Sequence, residues 1–317
     1  MKILITCPPM LGLIDHFAAD IRARGLDFDA PELTQTMPES DLIKCIGDYD
    51  GWIIGDDPAT RAVFEAGQRG NLKAAVKWGV GVDNVDMASA RALGIPIVNT
   101  PQMFGEEVAD VALGYLIVLA RELFAIDASV RSGGWAKNRG MSLSGKCAAL
   151  VGFGDIGRAL ARRLTAIGMR VIAYDPHYEA QPGLETVECA IWPQRLEEAD
   201  ALLFTCALTE KNHHMLGPAE LARVNPGLRV VNVSRGPLIN EAALASALEL
   251  GGVHSAALDV FEVEPLPERA CLRNFGERVV FGSHNASNTE DAVVRASERA
   301  LDLLCGFLDL PTEGSTR

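Results

Sequence analysis

Val151-Gly152-Phe153-Gly154-Asp155-Ile156-Gly157 is a G-x-G-x-x-G sequence standing between two different periodicities. Before it, Lys146 to Val151 is an apolar run of strand length. After it, Arg158 to Ile167 sets Leu160, Leu164 and Ile167 on one helical face. A second strand, Arg170 to Tyr174, follows and ends in Asp175. Strand, glycine turn, helix, strand and terminal acid form the context that a dinucleotide-binding βαβ unit demands. Gly152 permits the tight turn, Gly154 lets backbone approach a pyrophosphate, and Gly157 lets helix pack against strand. N–H groups at the helix start face the phosphates. Asp175 is placed to accept both ribose hydroxyls of an adenosine and to repel a 2′-phosphate, which favours NAD over NADP.

Outward from this unit the alternation continues. On the N-terminal side, strands are expected over Lys2 to Thr6, around Trp52, over Leu72 to Trp78 and over Ile95 to Asn99. Helices are expected over Ile14 to Arg24, Thr60 to Ala66 and Met87 to Leu93. On the C-terminal side, strands are expected over Ala201 to Cys206, Leu228 to Val233, Ser255 to Leu258 and Val279 to Phe281. Helices are expected over Pro218 to Val224 and Glu241 to Glu249, with a closing helix over Asn288 to Leu310. Such alternation means parallel sheets covered by helices. Glu106 to Ser132 reads as one long apolar helix that could build a subunit interface. A Gly-rich, basic connection, Ser132 to Ser144, follows it and holds Trp135, Lys137 and Arg139.

Composition sets limits on partners. The formal net charge of −13 carries no basic nucleic-acid footprint. The most apolar long run, Val108 to Ala120, contains Asp110 and is too short to span a membrane. The seven cysteines are scattered without a C-x-x-C pair, which favours a reducing compartment and no structural zinc. Prolines close to Met1 leave no signal-peptide core, so a cytoplasmic protein is expected.

In open parallel sheets, ligands bind at the carboxyl ends of strands. Read in order, those ends supply Val80 and Gly81, the glycine turn, Asp175, Cys206, Arg235, Asp259 with Glu264, and His284. A cation, acids and an imidazole thus share one rim.

These stretches resemble the D-isomer-specific 2-hydroxyacid dehydrogenase family. The resemblance is carried by Gly79 to Asp86 (Gly-Val-Gly-Val-Asp-Asn-Val-Asp), Glu107-Val108-Ala109-Asp110, the glycine fingerprint, Val231 to Gly236, Asp259 to Pro265, and Ser283-His284-Asn285. They occur in family order and cover nearly the whole chain. The resemblance implies two doubly wound parallel-sheet domains. A Rossmann NAD domain, 100–285, is expected as an insertion in a flavodoxin-like substrate domain made of 1–99 and 286–317. It also implies an interdomain cleft with hinges near Asn99-Thr100-Pro101 and after His284.

The implied reaction is hydride transfer between NAD and a small 2-hydroxy or 2-keto acid in a homodimer. His284 would take and return the hydroxyl proton. Glu264 would hydrogen-bond the imidazole and favour its cation. Arg235 would grip the substrate carboxylate with its planar fork. Backbone N–H groups of Val80 and Gly81 would hold the same carboxylate. Asp259 would meet the nicotinamide, and Val108, Asp155, Ile156, Cys206 and Val233 join Gly152, Gly154, Gly157 and Asp175 as cofactor contacts. No metal ligand is expected.

The choice of acid is less constrained. Phosphoglycerate-type members grip a phosphate with arginines, whereas Gly55-Asp56-Asp57 puts two acids at that place. Lys77, Lys137 and Arg139 remain as possible cations, and Trp78 as either a specificity wall or a core residue. Two alternatives to a general hydroxyacid dehydrogenase stand beside it: a D-3-phosphoglycerate dehydrogenase, and an NAD-sensing, corepressor-like binding protein.

Overall fold

Twelve strands form two separate, wholly parallel sheets in the computed structural model, which describes residues 1–311. In chain order the first sheet holds β1 (Lys2–Ile5), β2 (Asp27–Asp29), β3 (Gly51–Ile54), β4 (Ala74–Lys77) and β5 (Ile97–Asn99). The second holds β6 (Cys147–Val151), β7 (Arg170–Tyr174), β8 (Glu188–Cys189), β9 (Ala201–Phe204), β10 (Leu228–Asn232), β11 (Val253–Leu258) and β12 (Val279–Phe281). The chain divides into two compact units. Unit 1 comprises Met1–Met103 and the segment from Asn288, and unit 2 comprises Phe104–Ser287.

Unit 1 has the strand order β2-β1-β3-β4-β5, the flavodoxin-like doubly wound order. Ile3, Leu4, Ile5, Trp52, Ile53 and Ile54 are almost wholly buried. Helices on both faces of a parallel sheet produce this burial, which is why these strands read as unbroken apolar runs. The helix Glu290–Phe307 returns from the far end of the chain to pack on β3 and β4. Its Ala296, Ala300, Leu301 and Leu304 are fully buried. Arg24 also ties this helix down, through Asp302 at 2.5 Å.

Unit 2 has the order β12-β11-β10-β9-β6-β7-β8. Counted from its own first strand, this is the Rossmann order extended by one strand. The order reverses between β6 and β9, and the turn after β6 is the glycine fingerprint. The helix Asp155–Ala166 buries Leu160 and Leu164 completely against the sheet, each contributing about 2 kcal/mol of apolar burial. That helix begins inside the fingerprint at Asp155, three residues before the start expected from periodicity.

Several elements differ from the sequence reading. The long helix expected over Glu106 to Ser132 is two helices, Gly105–Arg121 and Leu123–Arg131. Glu122 separates them in the left-handed conformation, at φ 52 and ψ 42. Its carboxylate accepts from Asn138 Nδ2 at 2.8 Å, so the following connection folds back on the break. The helix Glu39–Cys45 and the short strands β2 and β8 had no periodic signal strong enough to find them. No helix among the described residues is long and apolar enough to cross a membrane.

Candidate active site

The glycine turn fits a dinucleotide. Gly152 has φ 98, a conformation that L side chains rarely adopt, and a Cβ on it would lie 2.6 Å from Cys206 N. A Cβ on Gly157 would overlap the Gly152 carbonyl oxygen, so the helix can approach the turn only with glycine there. A Cβ on Gly154 would meet nothing within 4 Å, leaving open space where a pyrophosphate would approach the backbone. The helix that follows has no side-chain cap at Gly154, so first-turn N–H groups are left for an anion. Thr205 stabilises the turn, donating from Oγ1 to Gly152 O at 3.0 Å.

The other cofactor candidates surround this turn. Asp175 Oδ2 accepts from Phe153 N at 2.7 Å and Oδ1 from His177 N at 2.8 Å. Each oxygen retains a lone pair for a ribose hydroxyl. Asp155 is exposed and Ile156 half-buried at the helix start, whereas Val108 and Val233 are buried wall residues. The Asp155 carboxylate lies against Gly105, where a Cβ would come 2.5 Å from Oδ2. Burial pushes the Cys206 thiol up to about 12, so it stays a neutral thiol beneath the turn.

Three loops at the carboxyl ends of β10, β11 and β12 bring the polar candidates into unit 2's rim. After β12, His284 has φ 55, in a region few non-glycine residues occupy. Its ring Nδ1 lies 2.7 Å from Glu264 Oε2. Glu264 Oε1 accepts from Phe261 N at 2.9 Å, so the carboxylate is oriented from both sides. In that geometry Nδ1 carries the proton and donates it to Glu264, as the carboxylate can only accept. Both side chains are about one-fifth exposed.

Arg235 follows β10 on a loop locked by Asn232. Asn232 Nδ2 donates to Arg235 O at 2.9 Å, and its Oδ1 accepts from Ser234 N at 3.0 Å. A Cβ on the next residue, Gly236, would overlap the Phe261 carbonyl carbon and oxygen. The arginine loop therefore backs directly onto the loop that carries Glu264. Asp259 is only 2% exposed; its Oδ2 accepts from Ala286 N at 2.9 Å and its carbonyl from His284 N at 2.7 Å.

In unit 1, the substrate-binding candidates divide. Val80 is exposed and Gly81 half-buried on the turn after β4. Asn99 Nδ2 holds this turn through Val80 O at 2.8 Å, and Thr100 holds it through Gly79. Lys77 and Trp78 are buried at the end of β4. Lys77 is 2% exposed, with Nζ 3.1 Å from Asp56 Oδ1 and 3.0 Å from Trp78 O. Its charge is already matched by a carboxylate. Trp78 is buried, and its Nε1 donates to Ser297 Oγ at 3.1 Å, so it packs within unit 1.

The acids beside them are more than a turn. Asp57 is fully buried and accepts from Met37 N at 2.7 Å, Gly55 N at 3.1 Å and the Thr6 hydroxyl. Burial raises its pKa. Lys137 and Arg139 flank Asn138 in the connection that follows the helix Leu123–Arg131. Their segment packs beside Glu122, whose other neighbour is His254 at 3.7 Å. His254 lies near the start of β11, at the amino ends of the strands, so Glu122 and Asn138 stand on the rim opposite His284. Among the described residues no group of three or more His, Cys, Asp or Glu could hold a metal ion.

With this geometry in hand, comparison with known proteins is decisive. Residues 113–286 match the family model for the NAD-binding domain of D-isomer specific 2-hydroxyacid dehydrogenases. The chain belongs to this family. A hydroxypyruvate reductase of Thermotoga maritima is 33% identical over 264 residues, covering 82% of this chain and 85% of that protein. A chloroplastic D-3-phosphoglycerate dehydrogenase of Arabidopsis thaliana is 37% identical over 251 residues, 78% of this chain but only 42% of its own length. A Thermus thermophilus protein of known structure superposes with a TM-score of 0.86 at 29% identity, covering 98% of this chain and 97% of that one. This hydroxyacid dehydrogenase is thus an NAD-dependent oxidoreductase built from two parallel-sheet α/β domains.

Sequence reasoning gave Asn232 and Thr205 no role, and gave Asp57 none in holding the fold. All three hold loops at strand ends. Their signal was weak, since a polar residue closing a strand reads as the start of a turn.

Proposed function

We propose that this hydroxyacid dehydrogenase reduces a small, unphosphorylated 2-keto acid to the D-2-hydroxy acid with NADH, and catalyses the reverse. The observation that carries the reading is the 2.7 Å contact between His284 Nδ1 and Glu264 Oε2. With Nδ1 bonded to Glu264, Nε2 is the nitrogen that exchanges the proton with the substrate oxygen. Glu264 holds the ring in one tautomer and compensates the positive charge while His284 is protonated. Arg235 binds the substrate carboxylate and draws electron density from the adjacent carbonyl. Val80 and Gly81 are assigned to the carboxylate through main-chain N–H groups. Asp175 binds the adenosine ribose, and Asp259 the nicotinamide side of the cofactor. NAD, when bound, supplies the hydride acceptor, and NADH the hydride.

The pairing of Lys77 with Asp56 supports an unphosphorylated substrate, because the buried ammonium offers no unmatched charge to a phosphate. Retention of Arg235, Glu264 and His284 supports an enzyme over a purely binding role. We assign unit 2 to the cofactor and unit 1 to the substrate. We also propose a homodimer built on the helices Gly105–Arg121 and Leu123–Arg131, where Ile117, Leu123, Phe124 and Val130 are exposed apolar residues. Free thiols at all seven cysteines support a cytoplasmic setting.

The test is NADH oxidation against a panel of 2-keto acids, with NADPH as control. Glyoxylate, hydroxypyruvate or pyruvate should turn over faster than 3-phosphohydroxypyruvate, and NADH should be preferred. Preference for the phosphorylated acid would overturn the substrate reading. Tight NADH binding without turnover of any acid would favour a sensor.

A further inference from the structure

Tyr115 stands on the helix Gly105–Arg121, where periodicity marks it only as part of the apolar face. Its hydroxyl donates to Asp259 Oδ1 at 3.3 Å. The Asp259 carboxylate is thus held by Tyr115 on one oxygen and by Ala286 N on the other, while its main-chain carbonyl accepts from His284 N. Gly282 runs directly over this pair. A Cβ on Gly282 would overlap Asp259 Oδ1 and come 2.5 Å from the Tyr115 hydroxyl. The segment from Gly282 to Ala286 is therefore moulded on Tyr115 and Asp259, and it carries His284 at φ 55. A residue in so sparsely populated a backbone conformation persists only when its surroundings over-determine it.

We propose that Tyr115 is a positioning residue for the acid–base step, fixing the Asp259 carboxylate so that the segment 282–286 holds His284 in its left-handed conformation against Glu264. The inference deepens the proposed function and rests on His284 being the acid–base group. Tyr115 acts as a donor throughout. Burial and the Asp259 charge raise its pKa, so the hydroxyl keeps its proton. The aromatic ring could be supplied equally well by phenylalanine; only the hydroxyl reaches Asp259.

Tyr115→Phe tests this, compared with Asp259→Asn, the double variant and His284→Ala. Tyr115→Phe should lower kcat roughly tenfold, the size expected for one hydrogen bond to a buried charged group. KM for NADH should stay within about twofold. In the Asp259→Asn background the same change should have no further effect, since the hydroxyl acts through that carboxylate. Hydrogen exchange gives a readout independent of turnover. The amides of His284 and Ala286 should exchange faster in Tyr115→Phe, and those of β11 should not. Unchanged kcat, unchanged protection of the two amides, or an equal loss in the Asp259→Asn background would overturn the proposal. Full turnover by His284→Ala would instead remove the acid–base assignment, and this inference with it, whatever Tyr115→Phe does.

Discussion

The carboxyl ends of the two sheets occupy equivalent places in their folds, yet their polar groups have different fates. In unit 2, His284 and Glu264 keep about one-fifth of their side-chain surface exposed and pair through a single hydrogen bond. In unit 1, Thr6 and Asp57 are fully buried and Lys77 nearly so. Each is satisfied by a neighbour on an adjoining strand or loop. Trp52 Nε1 even donates to Thr6 Oγ1 at 2.9 Å, tying β3 to the end of β1. The partly exposed rim can meet a ligand and change protonation. The buried rim holds three loops in register. Charge at a strand end is thus partly exposed at His284 and Glu264, and buried and internally paired at Asp57 and Lys77.

Substitutions at the two rims should act on different quantities. The largest effect after His284 itself is expected at Arg235. Arg235→Ala should lower kcat/KM for the 2-keto acid about 100- to 1,000-fold, because a carboxylate ligand and a polarising charge are lost together. NADH affinity, measured by fluorescence titration, should change little. A KM shift alone would mean that Arg235 binds the ground state only. Glu264→Gln should follow, with kcat down roughly 10- to 100-fold, since the amide keeps a hydrogen bond to Nδ1 but cannot compensate the imidazolium. An unchanged kcat would reduce Glu264 to a loop anchor.

At the buried rim the effects should appear in stability instead. Asp57→Asn replaces one acceptor oxygen with a donor facing Met37 N or Gly55 N, and should cost about 2–4 kcal/mol in chemical denaturation. This loss depends on pH. Burial raises the folded pKa of Asp57, so the fold favours its protonated form. That contribution is full below the unfolded value of about 3.9, and is lost as pH rises through the folded pKa. The stability gap between the wild type and Asp57→Asn should therefore narrow from acid towards neutral pH. A gap that widened would mean that the three donors outweigh desolvation. Smallest of all, Lys77→Met should leave KM for the keto acid within about twofold while costing about 1–3 kcal/mol of stability. A large rise in KM would return Lys77 to the substrate.

The unequal legibility of the two rims has a physical cause. The glycine fingerprint is readable because Gly152 and Gly157 answer constraints within a few residues: a positive φ, and contact between a turn and the helix that follows it. The parallel sheet of unit 2 follows from that unit and the alternation around it. The burial of Trp78 was left open by the sequence because it depends on distant chain. Trp78 is covered by Ser297, on a helix more than two hundred residues away in sequence. The break at Glu122 was invisible for another reason. Apolar spacing continues across it, and what marks it is one left-handed residue held by Asn138. The pairing of His284 with Glu264 was expected only from the family resemblance, and nothing in local spacing marks it. It depends on loops after two different strands converging.

The most direct test of this account compares kcat and the NADH dissociation constant in the wild type and His284→Ala. His284→Ala should lower kcat about 100- to 10,000-fold, the usual range for a general acid–base group, with NADH affinity retained because the glycine turn and Asp175 are untouched. Turnover by His284→Ala close to that of the wild type would contradict it.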